Sequence, residues 1–156
     1  MIPPHIHRNN PLVDLETHRS KERDDTEYNF TDSTGNVVGK GSVIMFRKAR
    51  GLRKWNLAPD ANQVSRLEAM LGNGFPVGLV HEIDIYPQHK GQGLGKLILK
   101  ETVLHLIDEG AQTILLLLDV EYGNNDFDLE AWYLREGFEH TGVTDKFGKP
   151  FLILKS

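Results

Sequence analysis

The stretch that most restricts the fold of this chain is TILLLLDV, Thr113 to Val120, an unbroken apolar run of strand length. Such a run has no solvent-facing alternation, so it suits a strand covered on both faces, the usual setting of a parallel strand. Before it lies a leucine- and isoleucine-rich segment, Gly93 to Asp108, whose apolar residues cover more than one face of a helix. Glu109 and Gly110 close that helix. Earlier still comes GLVHEIDIYP, Gly78 to Pro87, a strand pattern ended by proline. Strand 78–86, helix 93–108 and strand 113–120 therefore form one βαβ unit, with a right-handed crossover expected. By period two, Leu79, His81, Ile83 and Ile85 share one face of the first strand, and Val80, Glu82 and Asp84 the other.

The segments around this unit are of a different kind. LVDLETH, Leu12 to His18, reads as a strand, and SKERDD, Ser20 to Asp25, as a charged turn. TEYNFTD and NVVGKGSVIMF flank the turn residues STGN, Ser33 to Asn36, which argues for a hairpin and hence an antiparallel meander. GLRKWNLAPD reads as a connection. A helix over 60–71 follows, started by Pro59-Asp60 and stopped by Gly72-Asn73-Gly74. Downstream, Asp126 or Asp128 suits the N-cap of a short helix, Leu129 to Glu136, ended by Gly137. FEHTGVT and KPFLILK then read as two strands joined by DKFG, with Pro150 at an edge or a strand start. Residues 1–10 read as a mobile tail and 11–156 as a single domain.

Composition narrows the function classes. The net charge of −4 gives no overall basic footprint for nucleic acid. A local exception is RKARGLRK, Arg47 to Lys54, readable as a solvated basic loop or as a contact to an anionic partner. Binding of a polynucleotide there would demand affinity that falls steeply with salt. No apolar run approaches the roughly 20 residues of a membrane helix, and MIPPHIHRNN lacks a secretory signal's apolar stretch. The expected location is cytoplasmic, with no membrane partner. Without cysteine, disulfides and thiolate metal sites are excluded, and the isolated His5-x-His7 lacks a third ligand nearby, so no metal is expected.

Three glycines in KGQGLGKLIL, Lys90 to Leu99, lie between strand and helix, where bare backbone amides and the helix dipole favour an anion. A Walker A loop would need glycine at position 90, which is lysine, and a hydroxyl at Leu97. A dinucleotide fingerprint would need glycine at Lys96 or Ile98. Neither spacing fits. Lys90-Gly91-Gln92-Gly93-Leu94-Gly95 instead resembles the pyrophosphate loop of the GNAT acyltransferase superfamily, [RQ]-x-x-G-x-[GA]. Lysine at position 90 keeps the charge but loses the planar fork of arginine. WYLREGFE places Tyr133, Gly137 and Phe138 as in that family's N-x-x-A-x-x-x-Y-x-x-x-G-F helix, with Asp126 replacing asparagine beside Asn124 and Asn125, and Leu129 replacing alanine. The resemblance covers roughly residues 77–155, and the family's usual helix pair between its first two strands is not evident.

The resemblance implies an α/β (α+β) fold. It has a mixed central sheet, an N-terminal antiparallel meander, a βαβ unit with acyl-CoA in the splay between the parallel strands, and a C-terminal β-hairpin. It implies an acetyl-CoA-dependent N-acetyltransferase using direct attack by an amine in a ternary complex; the alternative is a non-catalytic acyl-CoA-binding module. Acetyl-CoA would be held by the backbone of Ile83 and Ile85, by Lys90, Gly91, Gln92, Gly93, Leu94, Gly95 and Lys96, and by Asn125 and Asp126. Tyr133 would protonate the departing thiolate. By the same resemblance His81 would be the base, the other reading being a histidine hydrogen-bonded within the sheet. Glu82 would hold a cationic acceptor, or else is a solvated strand residue. Asp84 has a weaker claim to the same role. A homodimer is compatible with such a family.

Overall fold

The computed structural model describes residues 13–19, 23–32, 34–54, 60–86, 94–118 and 129–155. In chain order the elements are β1 (Val13–Arg19), β2 (Arg23–Thr31), β3 (Val37–Phe46), α1 (Ala49–Lys54), α2 (Ala61–Leu71), β4 (Val77–Ile85), α3 (Leu94–Asp108), β5 (Thr113–Leu117), α4 (Leu129–Arg135), β6 (Glu139–Thr144) and β7 (Pro150–Lys155). The strands form one seven-stranded sheet in the order β1-β2-β3-β4-β5-β7-β6. Among the described strands only β4 and β5 pair in parallel; the other neighbours are antiparallel.

The meander forms where its turn chemistry predicts. Asp32 Oδ1 accepts from the backbone N–H groups of Thr34 (2.9 Å) and Asn36 (3.1 Å), and Gly35 takes a positive φ of 86°. Such an aspartate-built turn reverses the chain between β2 and β3. The charged turn expected over 20–25 is shorter than its composition suggests. Arg23, Asp24 and Asp25 already stand opposite Phe46, Met45 and Ile44 of β3, because ladder pairing is a backbone matter that charged side chains do not prevent.

The stretch read as a connection contains α1. Leu52, fully buried, supplies the reason: helical winding drops it beside Phe46 and Leu67 in one core cluster. That burial, worth about 1.5–3 kcal/mol, outweighs the roughly 1 kcal/mol cost of Gly51 in a helix. The basic run is thus partly helix, with Arg53 forked onto Glu68 of α2, Nη2 to Oε2 at 3.1 Å. Glu68 accordingly raises the pKa of Arg53 through the hydrogen bond and its charge.

Helix α2 starts at Asp60, whose Oδ1 accepts from Gln63 N at 2.9 Å, and ends at Gly72, φ 52°. Asp60→Ala should lower stability by about 1 kcal/mol, read as a lower urea midpoint with an unchanged m-value. A drop beyond ~3 kcal/mol would show that Asp60 does more than cap the helix.

Both faces of the sheet are covered. Beneath α1 and α2 lie Ile44, Phe46, Val77, Leu79, Leu115, Phe151 and Ile153. Beneath α3 and α4 lie Tyr28, Val43, Met45, Val80, Ile114, Leu116 and Leu152. Ile114 and Leu116 thus face one way and Leu115 the other, which explains the unbroken apolar run; among the described residues its strand ends at Leu117. Pro150 opens β7, where its carbonyl accepts from Leu118 N at 2.9 Å and its missing N–H costs nothing. Asp145 Oδ1 holds the hairpin turn by accepting from Phe147 N and Lys149 N at 2.9 and 2.8 Å.

Candidate functional site

Strands β3 and β4 pair regularly except at one place. Val80 stands opposite Val43 and Glu82 opposite Ser42, so His81 is one residue too many. A bulge of this kind breaks the alternation of side chains. Leu79 packs under α2, whereas Val80 and Ile83 both pack under α3. Leu79 and Ile83 therefore lie on opposite faces. The period-two reading that set Leu79, His81 and Ile83 on one face is corrected, because an inserted residue shifts every position after it.

The same point is where β4 leaves β5. Their parallel pairing runs from Val77↔Thr113 to Val80↔Leu116 and stops. Strand β4 continues through Ile85 with β3 on one side and no described strand on the other. Tyr86 N–H donates to Val38 O of the β3 side at 3.0 Å. By strand alternation the N–H and C=O groups of Ile85 and Ile83 point to the opposite edge, into the gap. Backbone groups there need hydrogen-bonding partners, and an extended ligand carrying amides can supply them as an added strand does.

Helix α3 begins beside this gap in the chain. Leu94 is buried in the cluster beneath the helix, Gly95 is half-buried and Lys96 is exposed. The first turn of α3 carries no acid, so its positive end and Lys96 both favour an anion. Gly41 of β3 lets α3 sit close: a Cβ there would run into Thr102, whose Oγ1 donates to Ile98 O at 2.7 Å, and would crowd Ile83. Lys90, Gly91, Gln92, Gly93, Asn125 and Asp126 lie outside the described residues, as does the side chain of Ile85.

Tyr133 of α4 shares the α3-side cluster with Val80, Leu94, Leu116 and Leu118. Its ring meets that of Phe138 at 5.9 Å, and Gly137, φ 102°, makes the tight reversal that returns Phe138 N to Tyr133 O at 3.1 Å. The fixed Tyr-x-x-x-Gly-Phe spacing is therefore a packing unit. Burial pushes the phenol well above its ordinary value, so it keeps its proton through the physiological range. His81 is shifted the other way. Burial pulls the imidazole below its ordinary value, Glu82 and Asp25 pull it up, and Lys40 pulls it down.

No protein-family model matches the chain. Over 75 residues, 48% of this chain, it is 35% identical to the mycothiol acetyltransferase of Kytococcus sedentarius; that match spans 24% of the relative, so the chain answers to about a quarter of its length. An acetyltransferase from Bacillus cereus superposes with a TM-score of 0.53 at 12% identity, over 86% of this chain and 74% of the other. The ribosomal-protein-alanine N-acetyltransferase of Brucella melitensis gives 0.50 at 18% identity, over 85% and 69%. The chain has the GNAT acetyltransferase fold.

Among the described residues no helix lies between β1 and β2; α1 and α2 stand between β3 and β4, after a three-stranded meander. Sequence reading missed a set of residues that the register brings beside the bulge. Ser42 stands opposite Glu82 and Glu27, and Lys40 opposite Asp84. Lys40 Nζ reaches Glu27 Oε1 at 3.8 Å. Only strand pairing joins these positions, and no local motif marks them. Among the described residues no group of three or more His, Asp or Glu is placed to hold a metal, and no helix is long and apolar enough to cross a membrane.

Proposed function

We propose that this chain is an acetyl-CoA-dependent N-acetyltransferase. The observation that carries the reading is the parting of β4 from β5 at the His81 bulge, next to the start of α3. The pantetheine arm of acetyl-CoA pairs with the backbone of Ile83 and Ile85. Lys90, Gly91, Gln92, Gly93, Leu94, Gly95 and Lys96 cradle the pyrophosphate, and Asn125 and Asp126 contact the cosubstrate from the following loop.

The reaction is direct attack in a ternary complex. His81 takes a proton from the acceptor ammonium, giving the neutral amine. Its nitrogen forms a bond to the thioester carbonyl carbon, the C–S bond breaks, and the thiolate takes the proton of Tyr133. The amide nitrogen sheds its second proton, which restores the tyrosine, and the protonated histidine releases its proton to bulk solvent, so one proton leaves per turnover. Glu82 and Asp84, half-buried on the strand that carries His81, favour a cationic acceptor over an anionic one.

Release of free thiol from acetyl-CoA, followed with a thiol reagent across cationic, neutral and anionic amines, tests this. Turnover with at least one amine, fastest with a cationic one, is expected. Tight coenzyme A binding without turnover on any amine would leave a binding module instead. Because burial lowers the His81 pKa, the base is unprotonated above it, so the acidic limb of kcat/KM should fall below pH 6.5. His81→Ala should remove that limb and lower kcat/KM by about 10²-fold; an intact limb would rule His81 out as the base.

A further inference from the structure

Beneath α1 and α2 the apolar face of the sheet ends at Ile44 of β3 and Leu79 of β4. The next positions of that face toward the gap are polar. Gly41 abuts Thr102 of α3, so Ser42, its neighbour in the strand, points to the opposite face. Ser42 is paired with Glu27 of β2 on one side and with Glu82 of β4 on the other. Directly opposed residues share a face. Glu27, Ser42 and Glu82 thus make one row across three strands, its ends roughly 10 Å apart at the backbone. In the following row Lys40 stands between Asn29 and Asp84. Three carboxylates therefore meet one ammonium in these two rows, and Lys40 Nζ lies 3.8 Å from Glu27 Oε1.

The centre of the row is the informative position. Ser42 is 9% exposed, and its hydroxyl makes no hydrogen bond to a described residue. A buried hydroxyl left without a partner is costly. Serine is also much shorter than the glutamates beside it, so the row forms a notch with a hydroxyl at its floor and a carboxylate on each side. Glu27 keeps 39% of its side chain exposed, which leaves that end open. A primary ammonium carries three N–H donors and no acceptor, and the notch offers it three acceptors. His81 precedes Glu82 in β4, so an amine delivered to His81 lies one strand spacing, ~4.8 Å, from β3. A short alkyl chain covers that distance. We propose that the row Glu27, Ser42 and Glu82 is a subsite for the second ammonium of an aliphatic diamine or polyamine acceptor, which rests on the reading that the acceptor is acetylated beside His81.

The experiment measures binding and turnover separately. Calorimetric titration with coenzyme A present compares putrescine and spermidine with butylamine, which has the carbon chain of putrescine and a single ammonium. A trilysine peptide serves as a larger polycation. Putrescine should bind at least about tenfold more tightly than butylamine, the size expected of added hydrogen bonds to a charged group. Ser42→Ala removes one oxygen, and Glu27→Gln keeps the side chain's shape while removing its charge. Each should weaken putrescine binding about tenfold and so remove most of the preference. Equal affinity for putrescine and butylamine, or no binding of putrescine, overturns the inference. So does a preference that survives both substitutions in folded protein. Tighter binding of trilysine than of either polyamine would assign the row to a peptide and overturn it too. A putrescine preference that depends on the row, without thiol release from acetyl-CoA, leaves the subsite standing and removes the proposed reaction. Turnover of butylamine and putrescine alike leaves the reaction standing and removes the subsite.

Discussion

Tyr133→Phe is expected to lower kcat by about 10²- to 10³-fold, in the range for loss of a general acid, while the Kd for coenzyme A changes less than about threefold. The contrast between the two numbers is the informative part. Phenylalanine keeps the ring that packs in the cluster with Leu94, Leu116 and Phe138, so the helix and its neighbours stay in place. What disappears is one hydroxyl that, in the proposed reaction, binds the departing sulfur only as the C–S bond breaks. Such a group acts on kcat rather than on ground-state affinity. Burial raises the phenol's pKa, so the protonated form survives as pH rises past the ordinary value near 10. Wild-type activity should therefore show no loss from Tyr133 ionisation below about pH 10. Unchanged kcat in Tyr133→Phe would remove the tyrosine from the chemistry. Equal losses in kcat and coenzyme A affinity would mark it as a packing residue.

The second large effect is expected at Gly41, which the mechanism never touches. A methyl group there meets the side chain of Thr102, which is fully buried and whose hydroxyl is held by Ile98 O. With no room to rotate away, α3 must lift from β3. Overpacking of this kind costs about 1–3 kcal/mol. Because the first turn of α3 belongs to the proposed pyrophosphate cradle, Gly41→Ala should also raise the KM for acetyl-CoA about tenfold or more, with a smaller change in kcat. Thr102→Ala removes the two atoms nearest the new methyl group, so the double variant should recover most of the stability and affinity lost in Gly41→Ala. A favourable coupling of about 1 kcal/mol or more in the double-mutant cycle is expected. Simple additivity would show that α3 is not seated through this contact.

Much of this was legible in the chain because it rests on local chemistry. The apolar run from Thr113, the glycine-bounded helix after β4, the STGN turn and the helix start at Asp60 are each written in adjacent residues. Tyr133 with Gly137 and Phe138 is likewise a local unit, closed by one backbone hydrogen bond from Phe138 to Tyr133. What could not be read depends on pairing between distant strands. The bulge at His81 exists only relative to β3, and it reverses the face of everything after it. Lys40 and Glu27 are 13 and more positions apart from each other and from β4 in sequence, yet meet through two registers. Helix α1 hid behind Gly51 and a row of cations, because its stability comes from burying Leu52 rather than from propensity.

The proposed placement of the thioester in the gap between β4 and β5 is open to direct measurement by amide hydrogen exchange, with and without coenzyme A. In the ligand-free protein the N–H groups of Ile83 and Ile85 point away from β3 into that gap, while those of Glu82, Asp84 and Tyr86 face β3. Saturating coenzyme A should slow exchange at Ile83 and Ile85 by at least about tenfold, with little change at Asp84 and Tyr86, whose amides are already in the ladder. Protection that spares Ile83 and Ile85 and falls elsewhere on the protein, or tight binding with no protection at all, would contradict a cosubstrate paired along the open edge of β4.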